Sequence, residues 1–242
     1  MLQKTEGIVL KSFRYGESGR VVKIYTEALG LQSYLVKGMK GQKSTFKPSL
    51  LEPLTLLELE VYHKQNQGLQ TIKEARCLFA YSGIPKSMVK QSVLMFIAEL
   101  VYKCIQEEES NLSLFSFLKQ SMLFLDTTDE VPNLFPSYFM IQLSGHLGFY
   151  PKPPKNPEEK YFDLREGTFY EKLLPHADFA DEITGKILAE ILHSDLSGLV
   201  LIASTTDQRK ALLEYLILYF RIHLIHFGNI QSQQILEMVF RG

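Results

Sequence analysis

The sequence predicts a mixed α and β protein. A small closed barrel of five strands, of the OB type, is followed by a mainly α-helical domain carrying one small hairpin insertion. Three observations lead there. Over roughly the first 80 residues apolar and polar side chains alternate with a period of two between short turns. From residue 86 the apolar period lengthens to that of a helix. The charge divides at the same point. Residues 1–80 hold nine Lys and three Arg against seven Glu and no Asp, a net +5, and the remainder holds 14 basic against 20 acidic groups, a net −6. The expected division is therefore a basic barrel over 1–80 and an acidic helical domain over 81–242.

The strands follow in order. Residues 5–15 form the first, and Gly16-Glu-Ser-Gly19 is its turn. Arg20–Thr26 is the second, with Val22 and Ile24 on one face. Glu27-Ala-Leu-Gly30 is a hairpin connection ahead of a third strand, Leu31–Lys37. Leu54–Tyr62 is the fourth, with Leu57, Leu59 and Val61 inward and Glu58 and Glu60 outward, and Leu69–Arg76 is the fifth. Five strands with short turns and one long loop fit an OB barrel, and an SH3-like barrel has the same pattern. Helices are expected over 86–109, with Met88, Val93, Phe96 and Leu100 on the apolar face, and over 112–125 and 132–149. Tyr150-Pro-Lys-Pro-Pro-Lys-Asn-Pro157 has four prolines in eight residues, which excludes helix and predicts an extended linker. Tyr161–Tyr170 reads as a hairpin around Glu166-Gly167. Asp181–His193 is a helix. Thr205 and Gln208 make a capping box for a helix over 207–227, stopped by Gly228, and Ser232 can cap a last helix over 233–240.

At 242 residues and 45% hydrophobic the chain can bury a sizeable core. Its two cysteines, Cys77 and Cys104, exclude a disulfide framework or a paired-cysteine metal site and fit a reducing cytosol. The start MLQKTEG lacks the apolar core of a signal peptide, and the longest apolar runs are broken by Glu, Lys and Arg, so a cytoplasmic protein off the membrane is expected.

Chemistry-bearing patterns are few. Gly38, Gly41, Lys43 and Ser44 imitate a phosphate-binding loop, but Gln42 stands where a glycine is required and no helix follows. His223 and His226 are spaced for one metal ion among apolar neighbours, with no third ligand, and read as core or helix-end residues. The carboxylates cluster at helix ends and in loops. No catalytic residue, metal or cofactor is expected. The basic stretch 35–47 is more informative. It holds Lys37, Lys40, Lys43 and Lys47 and no acid, with Phe46 as an aromatic face. Tyr15, Tyr25, Tyr34 and Phe46 interleave with Arg14, Arg20, Lys23, Lys37 and Lys47. Stacking rings among phosphate-binding cations are what a single-strand-binding barrel needs. These eleven residues are the expected nucleic-acid contacts. An RNA-binding or ribosome-associated barrel, and a protein-only adaptor with merely solvated lysines, satisfy the same residues.

Motifs along nearly the whole chain resemble the RecO family of bacterial recombination mediators. They are Gly7-Ile-Val-Leu10, Tyr15-Gly-Glu17, Arg20-Val-Val22, Thr26-Glu-Ala-Leu-Gly30, Val36-Lys-Gly38 with Lys43-Ser44, Leu50-Leu-Glu-Pro-Leu54, Leu143-Ser-Gly-His-Leu-Gly-Phe149 and Phe227-Gly-Asn-Ile-Gln-Ser-Gln-Gln-Ile-Leu236. The resemblance implies an OB domain followed by a helical domain. It further implies binding of single- and double-stranded DNA, annealing of complementary strands, contact with the tail of single-strand-binding protein (SSB), and, with RecR, placement of RecA on coated strands near the nucleoid. The sequence departs from the family at three places. Residues 149–178, where many members carry a four-cysteine zinc module, contain no cysteine. Pro136-Ser-Tyr-Phe-Met140 is neutral where arginines are usual, and the C-terminal pattern reads Gln231-Ser-Gln233. For the acidic SSB tail the expected receptor is the helix over 207–227, with Arg209, Lys210 and Arg221 as cations and Tyr215, Tyr219 and Phe220 as rings. Phe135, Tyr138 and Phe139 form the alternative wall.

Overall fold

The computed structural model describes residues 1–17, 19–37, 46–64, 67–106 and 108–239. The chain divides into two compact units, Met1–Thr127 and Thr128–Gly242. The first two helices thus fold with the barrel, and the compact boundary falls well beyond residue 80.

In the first unit, strands β1 (Leu2–Tyr15), β2 (Gly19–Thr26), β3 (Gly30–Val36), β4 (Leu56–Tyr62) and β5 (Gln70–Cys77) close into a barrel in the order β1-β2-β3-β5-β4. This is the OB arrangement rather than the SH3-like one. β1 is long enough to serve two neighbours. Its residues 2–8 pair with β4 and residues 7–15 pair with β2, and a bulge between Val9 and Lys11 bends it from one partner to the other. At the crossing, a Cβ on Gly7 would lie 2.7 Å from both Ile24 and Leu59, so the wall closes there only around glycine. Gly30 takes φ +63 to turn the chain between β2 and β3.

Val9, Val22, Ile24, Leu57, Leu59 and Val61 fill the barrel as their alternation requires. A 3-10 turn, Pro48–Leu51, plugs it with Leu51. Leu54 follows with φ +62, a left-handed conformation that costs a leucine about 1–2 kcal/mol. It is held there by a fully buried side chain, by its N–H donating to the Val9 carbonyl at 2.6 Å, and by the Tyr81 hydroxyl donating to its carbonyl at 2.7 Å.

Helix α1 (Met88–Cys104) starts at Ser87, whose hydroxyl accepts the Lys90 N–H, and α2 (Leu112–Thr127) starts at Asn111, whose side chain accepts the Leu114 N–H. Met88, expected on the apolar face, is 77% exposed, because the helix begins there and its first turn projects past the core. Asp126, near the end of α2, is buried and accepts the N–H groups of Ser82, Gly83 and Ile84, while the Lys90 ammonium donates to its carbonyl. Burial alone would raise its pKa. The three N–H groups and Lys90 outweigh burial and hold it below the ordinary carboxylate value.

The second unit contains α3 (Phe135–His146), a small sheet of β6 (Tyr161–Asp163), β7 (Thr168–Tyr170) and β8 (Phe179–Ala180) in the order β7-β6-β8, and helices α4 (Glu182–Leu192), α5 (Thr206–His223) and α6 (Gln233–Val239). The proline-rich stretch is no free linker. Pro151 is buried, and the Lys152 N–H donates to the Gly167 carbonyl at 2.8 Å, so the stretch is pinned along the hairpin. β8 has only two residues, too few to leave a periodic signal. The small sheet is held by Phe162 against Phe169 at 4.9 Å and Tyr219 at 5.6 Å, by the Arg165–Asp178 pair, and by His176 Nε2 at 3.3 Å from the buried Asp163 carboxylate. The Thr205–Gln208 capping box is present, but α5 ends at His223, short of Gly228, because Leu224 turns to an extended conformation.

Candidate nucleic-acid interface

Cross-strand register decides which side chains share the outside of the barrel. Residues directly opposite one another point to one face, and faces alternate along each strand. Val22 lies opposite Ser12 and Tyr34, and Ile24 opposite Val9 and Gln32; Val9, Val22, Ile24 and Tyr34 are core. Lys23 is therefore outside, in a row with Lys11 of β1 and Ser33 of β3. Phe13, Val21 and Leu35 form the next outer row, and Tyr15 stands opposite Gly19 in the one after. Arg14 and Arg20 also face each other at the open end on the inner parity, Arg14 exposed and Arg20 half-buried opposite the core residue Val36. Arg20 donates to the Ser12 hydroxyl at 3.1 Å. Lys37, directly after β3, is exposed at this end, and Lys47 is exposed ahead of the 3-10 turn.

Two like-charged cross-strand pairs, Lys11 opposite Lys23 and Arg14 opposite Arg20, oppose folding electrostatically. No described carboxylate forms an ion pair with them or with Lys37 or Lys47. Aromatic rings lie among these cations. Tyr15 is 57% exposed. The Lys11 ammonium stands 4.5 Å from the centroid of Tyr102 in α1 and 5.5 Å from that of Phe13, and those two rings are 6.3 Å apart. Lys11, Phe13 and Tyr102 were not among the residues expected from the sequence. Their signal is register and tertiary contact; Tyr102 is 87 positions from Tyr15 and in a helix.

Of the expected contacts, the structure places Arg14, Tyr15, Arg20, Lys23 and Lys37 on or beside this face, and Lys47 is exposed in the turn after the undescribed stretch. Lys40 and Lys43 lie outside the described residues. Three expected rings are corrected. Tyr34 is 0% exposed inside the barrel, and burial pushes its phenol well above the ordinary tyrosine value. Phe46 is buried in the same core, and Tyr25 is buried, 6.3 Å from Phe115 of α2. None of the three can offer a face to a base: alternation along β3 turns Tyr34 inward, Tyr25 lies on the outer parity beneath Phe115 of α2, and Phe46 packs into the barrel core from outside the strands.

The receptor expected on α5 is also redrawn. Tyr219 is core: its ring packs on Phe149, Phe162 and His223, and its hydroxyl donates to the Phe149 carbonyl at 2.6 Å. Phe220, Phe135 and Phe139 are buried too, and Tyr138 and Tyr215 are half-buried. Arg209 donates to the Ser204 carbonyl and the Thr206 hydroxyl, Lys210 pairs with Glu214 at 3.8 Å, and Arg221 donates to Asn229. Twelve residues of helix put Arg209 and Arg221 about 18 Å apart, so one carboxylate cannot meet both. His223 packs flat on Phe149 with Nε2 3.0 Å from the Leu164 carbonyl, the role of a core histidine. Among the described residues no group of three or more His, Cys, Asp or Glu is arranged to hold a metal ion.

An OB barrel with an exposed cationic and aromatic face is an architecture that nucleic-acid-binding proteins use, and comparison with known proteins narrows it. Residues 1–81 match the model of the recombination protein O N-terminal domain and residues 85–228 that of its C-terminal domain. The chain is 33% identical over 99% of its length to the DNA repair protein RecO of Azobacteroides pseudotrichonymphae genomovar. CFP2, and 33% identical over 99% of its length to that of Bacteroides fragilis; each relative is covered completely. The RecO of Flavobacterium johnsoniae is 31% identical over 98% of both chains. The chain belongs to the RecO family of DNA repair proteins. The family models divide between residues 81 and 85, as the charge does, whereas compaction divides after Thr127. No described helix is long and apolar enough to cross a membrane.

Proposed function

We propose that the chain is a non-enzymatic mediator of DNA repair acting in the cytoplasm at the nucleoid. It binds single- and double-stranded DNA on the outer face of β1–β3 and anneals complementary strands. With RecR it helps load RecA onto strands coated by SSB. The carrying observation is the pair of like-charged cross-strand couples, Lys11 with Lys23 and Arg14 with Arg20, next to exposed Tyr15 and free of described carboxylate partners. Such a face gains when phosphates replace its counterions, and base pairing drives annealing once strand repulsion is screened. The protein partners fall to the acidic second unit, where Arg209, Lys210, Tyr215 and Arg221 remain the candidate contacts for the SSB tail.

A salt series tests this reading. Changing Lys11, Arg14, Arg20 and Lys23 together to Gln should weaken binding of a fluorescent single strand at least about a hundredfold at low salt. It should also shrink the logarithmic salt slope by about 3 and slow annealing in parallel. An unchanged slope would place the DNA elsewhere, and preference for RNA of the same sequence would redirect the reading to an RNA-binding barrel.

A further inference from the structure

We propose that a cleft between α4 and the segment leading into α5 is a docking surface for a basic amphipathic helix of a partner protein. The inference goes beyond the DNA reading and does not depend on it. The cleft lies wholly within the second unit and measures about 690 Å³. That is in the range of a small-ligand site, large enough for the apolar anchors of a peptide and too small for a folded domain. Tyr161, Ile183, Ile187 and Ala203 give it an apolar lining. The apolar surface continues along the chain. Ala203 follows the 3-10 turn Gly198–Leu201, where Leu199 is buried while Val200 and Leu201 are 70% and 84% exposed. Ile183, in the first turn of α4, is 59% exposed. Leu199 alone anchors the turn, so the fold has no need of aliphatic side chains at 200 and 201. One exposed aliphatic residue is ordinary, but several adjoining one cleft are the mark of a binding surface.

Charge decides the occupant. Asp181, Glu182 and Glu190 line the cleft against one lysine, Lys186. Glu182 also meets Lys160 at 3.0 Å, and Glu190 meets Lys186 at 4.0 Å. Both pairs are open to solvent, and pairs of that kind are weak enough to be exchanged for a partner's cation. Asp181 accepts the Thr184 N–H as the N-cap of α4. Burial first, and then the charges of Asp181 and Glu214, raise the Tyr215 phenol, so a negative field extends along α5. The cations of α5 nearest its start are turned elsewhere, Arg209 onto Ser204 and Thr206 and Lys210 onto Glu214. The second unit as a whole has fifteen Asp and Glu against ten Lys and Arg, a net −5. An acidic peptide such as the SSB tail is repelled by this lining. A helix with aliphatic anchors on one side and lysines or arginines on the other matches it in both respects.

Fluorescence anisotropy of two labelled peptides on the full chain tests this. One peptide is a designed helix with leucines on one face and lysines on the other. In its counterpart every lysine is glutamate. The lysine peptide should bind at least about tenfold more tightly than the glutamate peptide at low salt. Val200→Ser combined with Leu201→Ser, both at exposed positions, should weaken it about tenfold with an unchanged melting temperature. Lys186→Glu removes the lining cation and should strengthen it about threefold, a gain that misfolding cannot imitate. Equal or tighter binding of the glutamate peptide, or no response to these substitutions, overturns the proposal. Sedimentation separates the possible occupants. The double variant should keep the oligomeric state of the unaltered chain, and a lost self-association would assign the surface to a second copy and overturn the proposal. The double variant should also bind single-stranded DNA as the unaltered chain does. Its loss of DNA affinity would make this a DNA surface and overturn the docking proposal, whereas failure of the unaltered chain to bind DNA would overturn the DNA reading alone.

Discussion

On one side of the barrel Glu60 sits between Lys4 and Lys73 at 3.2 and 2.8 Å, Arg76 pairs with Glu74 at 2.7 Å, and Lys119 with Glu6 at 2.6 Å. On the other side Lys11 faces Lys23 and Arg14 faces Arg20, and no described carboxylate pairs with any of them. Both sides are built on the same barrel and carry similar numbers of cations. The difference lies in whether an acid stands beside each cation, across the ladder as Glu60 does for Lys4, along β5 as Glu74 does for Arg76, or facing α2 as Glu6 does for Lys119. Where it does, the field of each lysine is cancelled at short range. Where it does not, the charges add and are left for a polyanion. A net charge near zero for the whole chain conceals this, because the cancellation is local.

The largest expected effect separates rings by the face they occupy. Tyr25→Ala should cost about 3–5 kcal/mol of stability in chemical denaturation, the usual result of emptying an aromatic core site. Tyr15→Ala should leave stability within about 0.5 kcal/mol and reduce single-strand affinity by about 1–2 kcal/mol, the worth of one stacked base. Equal stability losses from the two would erase the distinction. Next, the compensated pattern can be transplanted. Val21 lies in the outer row between Phe13 and Leu35, next to the Lys11–Lys23 row. Val21→Glu should lower DNA affinity about thirtyfold, ~2 kcal/mol, in low-salt titrations, and the deficit should shrink as salt rises. A deficit that is constant with salt would mean the substitution acts through the fold.

The smallest effect concerns acid. Hydrogen bonds from Lys73 and then Lys4, against some desolvation, hold the Glu60 carboxyl below the ordinary glutamate value. A depressed folded pKa contributes stability that is full above the unfolded value of about 4.3 and is lost as pH falls through the lower folded value. Circular-dichroism melts from pH 6 to pH 3 should therefore show a slightly shallower acid decline for Glu60→Gln than for the unaltered chain. Parallel declines would mean that the pairing on this side is incidental.

Much of the candidate face is legible in the sequence, and the part that is not has a common cause. Arg14, Arg20 and Lys23 reach water at least in part because a charged group in a strand is driven there whatever the register, and Lys37 and Lys47 are exposed outside the strands. Tyr15 reaches it at the exposed end of a strand. Tyr25, Tyr34 and Phe46 read equally well as rings for a base and as rings for a core, and composition cannot choose between them. The choice came from closure: β2 and β3 turn one parity inward, and α2 covers Tyr25 from outside. Tyr219 was lost to the core for the same reason, since an amphipathic pattern does not say which ring a neighbouring sheet will cover.

The sequence by itself determined the succession of elements, the barrel followed by helices, the basic first third and the absence of cysteine from residues 149–178. All of these depend on local period, turn residues and composition. Only the tertiary structure decided that Lys11 stands opposite Lys23 and over Tyr102, and that α1 and α2 fold with the barrel. Register and closure are set by contacts between residues far apart in the chain. A bulge that inserts a single residue, as between Val9 and Lys11, reverses which side chains face water, and no local pattern records it.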